Sequence, residues 1–241
     1  MFTRLIKRLP FFRAWSVRLD NQWEREEFVK LALSRLAPSS KILDAGCGSQ
    51  RYKKYCGNLA YRAQDFGQYK SDAKKMLGSE GVGGKDGYRY GQLDYIGDIW
   101  EIDEADQTFD AILCTEVFEH IPYPIETLKE FSRLLKSGGV LILTAPSNCL
   151  RHMDPFFFYT GFSDRWYEKF LKDAGFEIKE ITSVGDYYSW LMVEMWRTAS
   201  THSVIAKLAV MPAFLYFSSK KKTRESVDTL CMGYHIVAAK I

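Results

Sequence analysis

The sequence predicts an α/β fold: a mostly parallel sheet wound by helices on both faces. Two observations carry this. Apolar runs with strand character alternate with stretches of helical periodicity from Lys41 onward. A glycine turn, Asp44-Ala45-Gly46-Cys47-Gly48, follows directly on the first of these runs, and sheets of this kind bind ligands beyond the carboxyl ends of their strands. With 241 residues, 46% of them hydrophobic, the chain suits one substantial core with additions rather than two domains.

The elements follow in order. Residues 2–19 mix basic and bulky apolar side chains. Asn21–Leu36 reads as an amphipathic helix, ended by Pro38 and two serines. Seven strands are expected: Lys41–Ala45, Tyr61–Phe66, one within Gln92–Ile99, Phe109–Thr115, Val140–Ala145, Phe176–Val184 and Tyr234–Ala239. A short helix is expected over Ser49–Cys56, and a polar, glycine-rich segment leads to Gly87. Ile125–Leu135 has apolar residues at helical spacing, and Gly138-Gly139 is expected to cap it. Ser163–Ala174 has Ser163 as its N-cap and Gly175 past its end. Asp186–Asp228 is an insertion before the last strand, far longer than an ordinary connection. The predicted organisation is a basic, amphipathic helical segment over 1–38 and one domain over 39–241, with 186–228 inserted.

A net charge of +3 argues against a nucleic-acid binder driven by bulk charge. The basic residues are uneven, however. Arg4, Lys7, Arg8, Arg13 and Arg18 precede the first acid, Asp20, and Lys220, Lys221, Lys222 and Arg224 form a second cluster. Five cysteines without a CxxC signal neither a disulfide framework nor a zinc knuckle, so a reducing cytoplasm is expected. The N-terminus lacks the apolar core of a secretory signal. The longest apolar run, Leu208–Phe217, is too short to span a bilayer and contains Pro212. Apolar residues beside lysines or arginines recur in the N-terminal segment and in Ser203–Lys222. Two readings stand: helices that cover the sheet, or peripheral contact with the anionic inner face of a membrane.

The glycine turn selects its ligand. A dinucleotide site needs a third glycine where this chain has Arg51, and Asp44 sits poorly beside a pyrophosphate. A carboxylate suits a ligand with a positive end and no phosphates, and S-adenosylmethionine is such a ligand. Asp65, 21 positions later, ends the second strand, where it can accept both ribose hydroxyls. Asp98 can accept from the adenine amino group, with Ile99 and Phe66 against the ring. Cys114-Thr115-Glu116 ends the fourth strand, under the methionine part.

In order, "ILDAGCG", "QDF", "GDI", "FDAILCTEVFEHIPYP", "LKEFSRLLKSGGVLILTAP" and "FLKDAGFEI" resemble the successive motifs of class I S-adenosylmethionine-dependent methyltransferases. The resemblance covers about Lys41 to Ile181 and implies a Rossmann-like fold. It implies cofactor contacts through the turn from Asp44 and Ala45 to Gly46, Cys47 and Gly48, and at Asp65, Phe66, Asp98, Ile99 and Cys114. Ser49-Gln50 departs from the small pair common in relatives.

Methyl transfer from a sulfonium needs alignment and exclusion of water, and a hydroxyl acceptor needs a base or a metal to take its proton. If "TEVFEHIPYP" opens a helix, Glu116, Glu119 and His120 share a face at i, i+3 and i+4. The trio resembles the Glu-x-x-Glu-His element of metal-dependent small-RNA 2′-O-methyltransferases and of ubiquinone-biosynthesis O-methyltransferases. Pro155 stands where a further ligand histidine is expected, so no metal is assigned and these three remain its candidates. His120, His152 and Glu116 are the candidate catalytic groups. The stretch "RHMDPFFFYTGF" resembles methyltransferase domains associated with surface-glycan synthesis, with Phe156–Phe158 and Trp166 as either a stacking wall or core. The expected reaction is O-methylation of a small-molecule or glycan acceptor. A metal-dependent RNA or quinone O-methyltransferase and a non-catalytic scaffold are the rival readings.

Overall fold

The structure is a computed structural model, and it describes residues 21–70, 89–200 and 204–241. The expectations for residues 2–19 and for most of the glycine-rich segment (71–88) lie outside the described residues. Seven strands form one sheet in the order β3-β2-β1-β4-β5-β7-β6. They are β1 (Lys41–Ala45), β2 (Ala60–Asp65), β3 (Tyr95–Ile96), β4 (Phe109–Thr115), β5 (Leu135–Pro146), β6 (Phe176–Val184) and β7 (Gly233–Lys240). All pairs are parallel except those of β7 with β5 and β6. The order reverses between β1 and β4, which opens a crevice at their carboxyl ends.

Central parallel strands are covered on both faces and so carry apolar residues almost continuously. Successive side chains of β1 show this: Leu43 enters one core, with Ile112 and Leu141, while Ile42 enters another, with Leu113 and Ile142. Helices α2 (Pro124–Leu134) and α3 (Asp164–Asp173) fill the first core through Leu128, Phe131, Tyr167 and Leu171. Helix α1 (Asn21–Ser34) fills the second through Val29, Ala32 and Leu33.

Most predicted boundaries hold within a residue or two, including the Ser163 cap, whose hydroxyl accepts from the Trp166 N–H. Three expectations change. The helix over Ser49–Cys56 is a single 3₁₀ turn, Lys53–Tyr55. Gln92–Ile99 holds only the two-residue β3. Gly138-Gly139 does not cap α2, which ends at Leu134, but lies inside β5. Here two steps along β4, Phe109 to Ala111, match five along β5, Leu135 to Val140. The surplus bulges where Gly138 takes a φ of +74°.

The insertion forms three helices, α4 (Tyr187–Ser200), α5 (Val204–Ser218) and α6 (Arg224–Thr229). Its base is one buried carboxylate. Asp186 accepts from the Ser189 N–H at 3.0 Å and its hydroxyl at 2.5 Å, and from the Ser226 hydroxyl at 2.8 Å. No helix among the described residues is long and apolar enough to cross a membrane.

Candidate active site

The chain leaves β1 through Gly46, whose φ is +70°. A Cβ there would stand 2.5 Å from Val117 Cγ2, so only glycine fits. The Gly46 N–H is held by the Gln64 carbonyl at 2.9 Å, and the Gly48 N–H by Asp65 Oδ2 at 2.9 Å. Asp65 also accepts from the Gly67 N–H at 3.2 Å, so one carboxylate ties the glycine turn to the end of β2. Burial raises its pKa, and these N–H groups counter the rise.

A cavity of about 800 Å³ opens above this turn. Of the residues that the sequence assigns to the cofactor, Gly46, Cys47, Gly48, Asp65, Phe66, Asp98 and Ile99 line it. Asp44, Ala45 and Cys114 do not. Asp44 is buried beneath the turn and accepts from the Tyr61 hydroxyl at 2.6 Å; burial pushes its pKa up to about 7. Through that bond it ties the end of β1 to β2. Cys114 is a core residue of β4, and the wall at that strand end falls to Thr115 and Glu116.

Glu116 does not share a helical face with Glu119 and His120. It has a φ of +52°, and only one 3₁₀ turn, Phe118–His120, follows. Its carboxylate turns away, accepting from the Thr144 hydroxyl at 2.9 Å and pairing with Arg25 at 3.1 Å. His152 takes the place expected of Glu116. The rings of His120 and His152 meet edge-on at 4.6 Å, and Glu119 Oε1 lies 3.7 Å from His120 Nε2. Each imidazole donates its Nδ1–H to a backbone carbonyl, His120 to Phe156 at 2.6 Å and His152 to Leu150 at 2.8 Å. Carbonyls only accept, so Nε2 carries the lone pair in both rings. Glu119 is 1% exposed, and its Oε2 has no hydrogen-bond partner. Burial raises its pKa, reinforced by the Glu116 charge. Burial lowers the pKa of His120 to about 4, with His152 adding to the effect. His120 faces the cavity; His152 stands outside its lining.

The aromatic stretch divides. Phe156 and Phe158 line the cavity, with Phe156 edge-on to Phe66 at 4.8 Å. Phe157 packs on His152, and Trp166 joins the core around Phe118 and Phe162. Asp154 is held by Arg151, and the Tyr159 hydroxyl donates to the Pro122 carbonyl at 3.2 Å.

Sequence reasoning missed Gln22 and Arg25, which bring α1 into the cavity wall. A signal was present. Positions 22, 25, 29 and 33 form one helical stripe, and its last two residues are buried apolar side chains. Polar residues that continue a buried stripe beyond the core point at an internal surface.

The methyltransferase domain family matches residues 20–203. The ubiquinone biosynthesis O-methyltransferase of Xanthomonas oryzae pv. oryzae is 31% identical over 109 residues, 44% of this chain and 42% of that protein. The sarcosine/dimethylglycine N-methyltransferase of Halorhodospira halochloris is 30% identical over 167 residues, 63% of this chain and 56% of that protein. These alignments span between two-fifths and three-fifths of the relatives' own lengths. Among solved structures, geranyl diphosphate methyltransferase in complex with GPP and sinefungin aligns with a TM-score of 0.53 at 15% identity, over 91% of this chain and 78% of that one. That likeness concerns the fold. With the glycine turn, Asp65 at the end of β2 and Asp98 just beyond β3 in place, the chain belongs to the class I S-adenosylmethionine-dependent methyltransferase domain family.

Proposed function

We propose that this chain transfers a methyl group from S-adenosylmethionine to an oxygen of a small-molecule or glycan acceptor. The cavity suits that cofactor: a turn that a single Cβ would fill, two carboxylates, and apolar walls at Ile99 and Phe66. Asp65 and Asp98 would hold the ribose and adenine, and Arg25, Thr115 and Glu116 the amino-acid end. When bound, the cofactor supplies an activated methyl on a sulfonium. The protein's part is to align the acceptor, exclude water and take the acceptor's proton. Gln22 and Arg25 of helix α1, with Phe156 and Phe158, form part of the cavity wall.

The observation that carries the reading is His120. The ring lines the cavity, its Nδ1 is tied to a carbonyl so that Nε2 keeps the lone pair, and burial keeps it neutral at physiological pH. That is a base placed for a hydroxyl. The relatives' names divide between oxygen and nitrogen acceptors, so the chemistry at His120 supports oxygen on its own. The aromatic wall at Phe156 and Phe158 supports a sugar or planar acceptor. The test is transfer of labelled methyl across a panel of sugars and phenols, with analysis of the product bond. An N- or C-methylated product removes the assignment. Tight cofactor binding without turnover on any acceptor favours the scaffold reading.

A second reading has its own observation. Glu119, His120 and His152 each offer a ligand atom, all within 4.8 Å of one another, and Glu119 Oε2 is unpartnered. Both histidines have Nδ1 tied to a carbonyl, as ligands of a divalent cation usually do. These residues would hold a divalent cation that acidifies the acceptor hydroxyl. Activity lost to a chelator and restored by Mg²⁺ or Mn²⁺ selects this reading; activity indifferent to chelator selects His120 as the base.

A further inference from the structure

Helix α5 turns its apolar residues outward. Val204, Ile205 and Leu208 are 70%, 77% and 68% exposed, and Met211, Leu215 and Tyr216 continue the same face. Their spacing, 204, 208, 211 and 215, makes a stripe along the helix, widened by 205, 212 and 216. Phe214, on the other side, is the buried residue of α5 and packs against Trp196 of α4 at 5.8 Å. Globular surface helices have the opposite arrangement, and a contiguous exposed apolar face marks a binding surface.

The charges identify the partner. From Val204 to Arg224 the chain carries Lys207, Lys220, Lys221, Lys222 and Arg224 and no acidic residue. Lys220 stacks over the Tyr216 ring at 4.2 Å, an aromatic and a cation side by side at the end of the apolar stripe. Such pairs sit at the boundary between lipid tails and headgroups. Along this stretch a second copy of the chain would offer the cluster no acidic side chain, whereas an anionic lipid surface would offer it negative charge. Fifteen residues make a helix of about 22 Å, shorter than the roughly 30 Å of a bilayer's hydrocarbon core.

We infer that α5 docks this protein on an anionic lipid bilayer, lying in the interface with its outward face among the acyl chains and its lysines among the headgroups. This holds whichever acceptor the cavity takes, and it places the enzyme where a lipid-borne acceptor would be.

The test is co-sedimentation of the full chain with phosphatidylglycerol/phosphatidylcholine vesicles, against pure phosphatidylcholine, at low and high salt. The expected result is binding to the anionic vesicles that weakens with salt. The double substitution Leu208→Glu, Leu215→Glu should lower partitioning by more than about tenfold. Calorimetric binding of S-adenosylhomocysteine, unchanged in that variant, shows that it is folded. Substituting Lys220, Lys221 and Lys222 by alanine should weaken binding and flatten its salt dependence. Three results would overturn the inference: no sedimentation with anionic vesicles, binding undiminished in the leucine variant, or a lipid-free dimer that the leucine substitutions dissociate.

Discussion

Arg25 on α1 pairs with Glu116 at the end of β4 across 3.1 Å, both side chains mostly buried. The ion pair fastens the N-terminal helix to the strand end that forms the cavity floor. Arg25→Ala leaves the Glu116 carboxylate with the Thr144 hydroxyl in a partly desolvated wall. The expected cost is about 1–3 kcal/mol in denaturant unfolding, with weaker cofactor binding in calorimetry. Arg25→Ala with Glu116→Ala should cost less than the two single changes added, because the second change removes the uncompensated charge.

Gly46→Ala should fail at two levels. The φ of +70° strains any side chain, and the new methyl meets Val117 at 2.5 Å. Cofactor affinity is expected to fall by at least about tenfold, equivalent to about 1.4 kcal/mol. Adding Val117→Ala removes the clash but not the strain, so calorimetry should show partial recovery.

Asp65 ties the glycine turn to the end of β2 and is proposed to hold the ribose. Asp65→Ala removes the acceptor of the Gly48 and Gly67 N–H groups, and should raise the dissociation constant for S-adenosylmethionine by about tenfold or more. Asp65→Asn keeps one acceptor oxygen and should fall between alanine and wild type. An alanine variant that binds as wild type would remove Asp65 from the site.

If His120 is the base, His120→Ala should lower kcat by about 10²–10⁴ with little change in KM. Its conjugate acid has a pKa of about 4. The rate should therefore be flat above pH 5 and fall only as pH approaches 4. A midpoint near 6.5 in the pH–rate profile would contradict a buried, neutral His120.

His235 of β7 stacks on Phe28 of α1 at 4.6 Å, and burial lowers its pKa from 6.5 to about 4. The unfolded chain then binds the proton first on acidification. His235 has no effect above pH 6.5, and it destabilises progressively as pH falls from 6.5 to 4, by up to about 3 kcal/mol. His235→Phe should keep the stack and flatten that part of the stability profile, measured by thermal unfolding.

Strand placement was legible because the buried parallel β4 is a nearly continuous apolar run and the antiparallel edge strand β6 mixes apolar and polar residues, and Phe109–Thr115 and Phe176–Val184 coincide with prediction to the residue. The cofactor turn was legible because its geometry depends on glycines and acids at fixed places. The groups that meet only by long-range folding were less so. His120 and His152 are 32 residues apart, and what joins them is the fold of 149–162 over the 3₁₀ turn, where the Phe158 and Tyr159 N–H groups donate to the Glu119 carbonyl at 2.9 and 3.2 Å. The helical face expected of Glu116, Glu119 and His120 failed for a local reason: a left-handed residue at Glu116 turns the chain before any helix can start. Cys114 and Asp44 sit at strand ends beside the cavity in sequence, yet both side chains are buried off its wall.

Val184 and Gly233 are direct partners in adjacent antiparallel strands, so everything between them occupies the place of a hairpin turn. Three helices and a cationic loop thus hang from a point that a few residues could bridge, closed at the base by Asp186. Attachment and catalysis are consequently separable inheritances. Lineages can exchange, trim or enlarge the appendage without rewiring the sheet, so where such an enzyme works and what it methylates can evolve along independent paths.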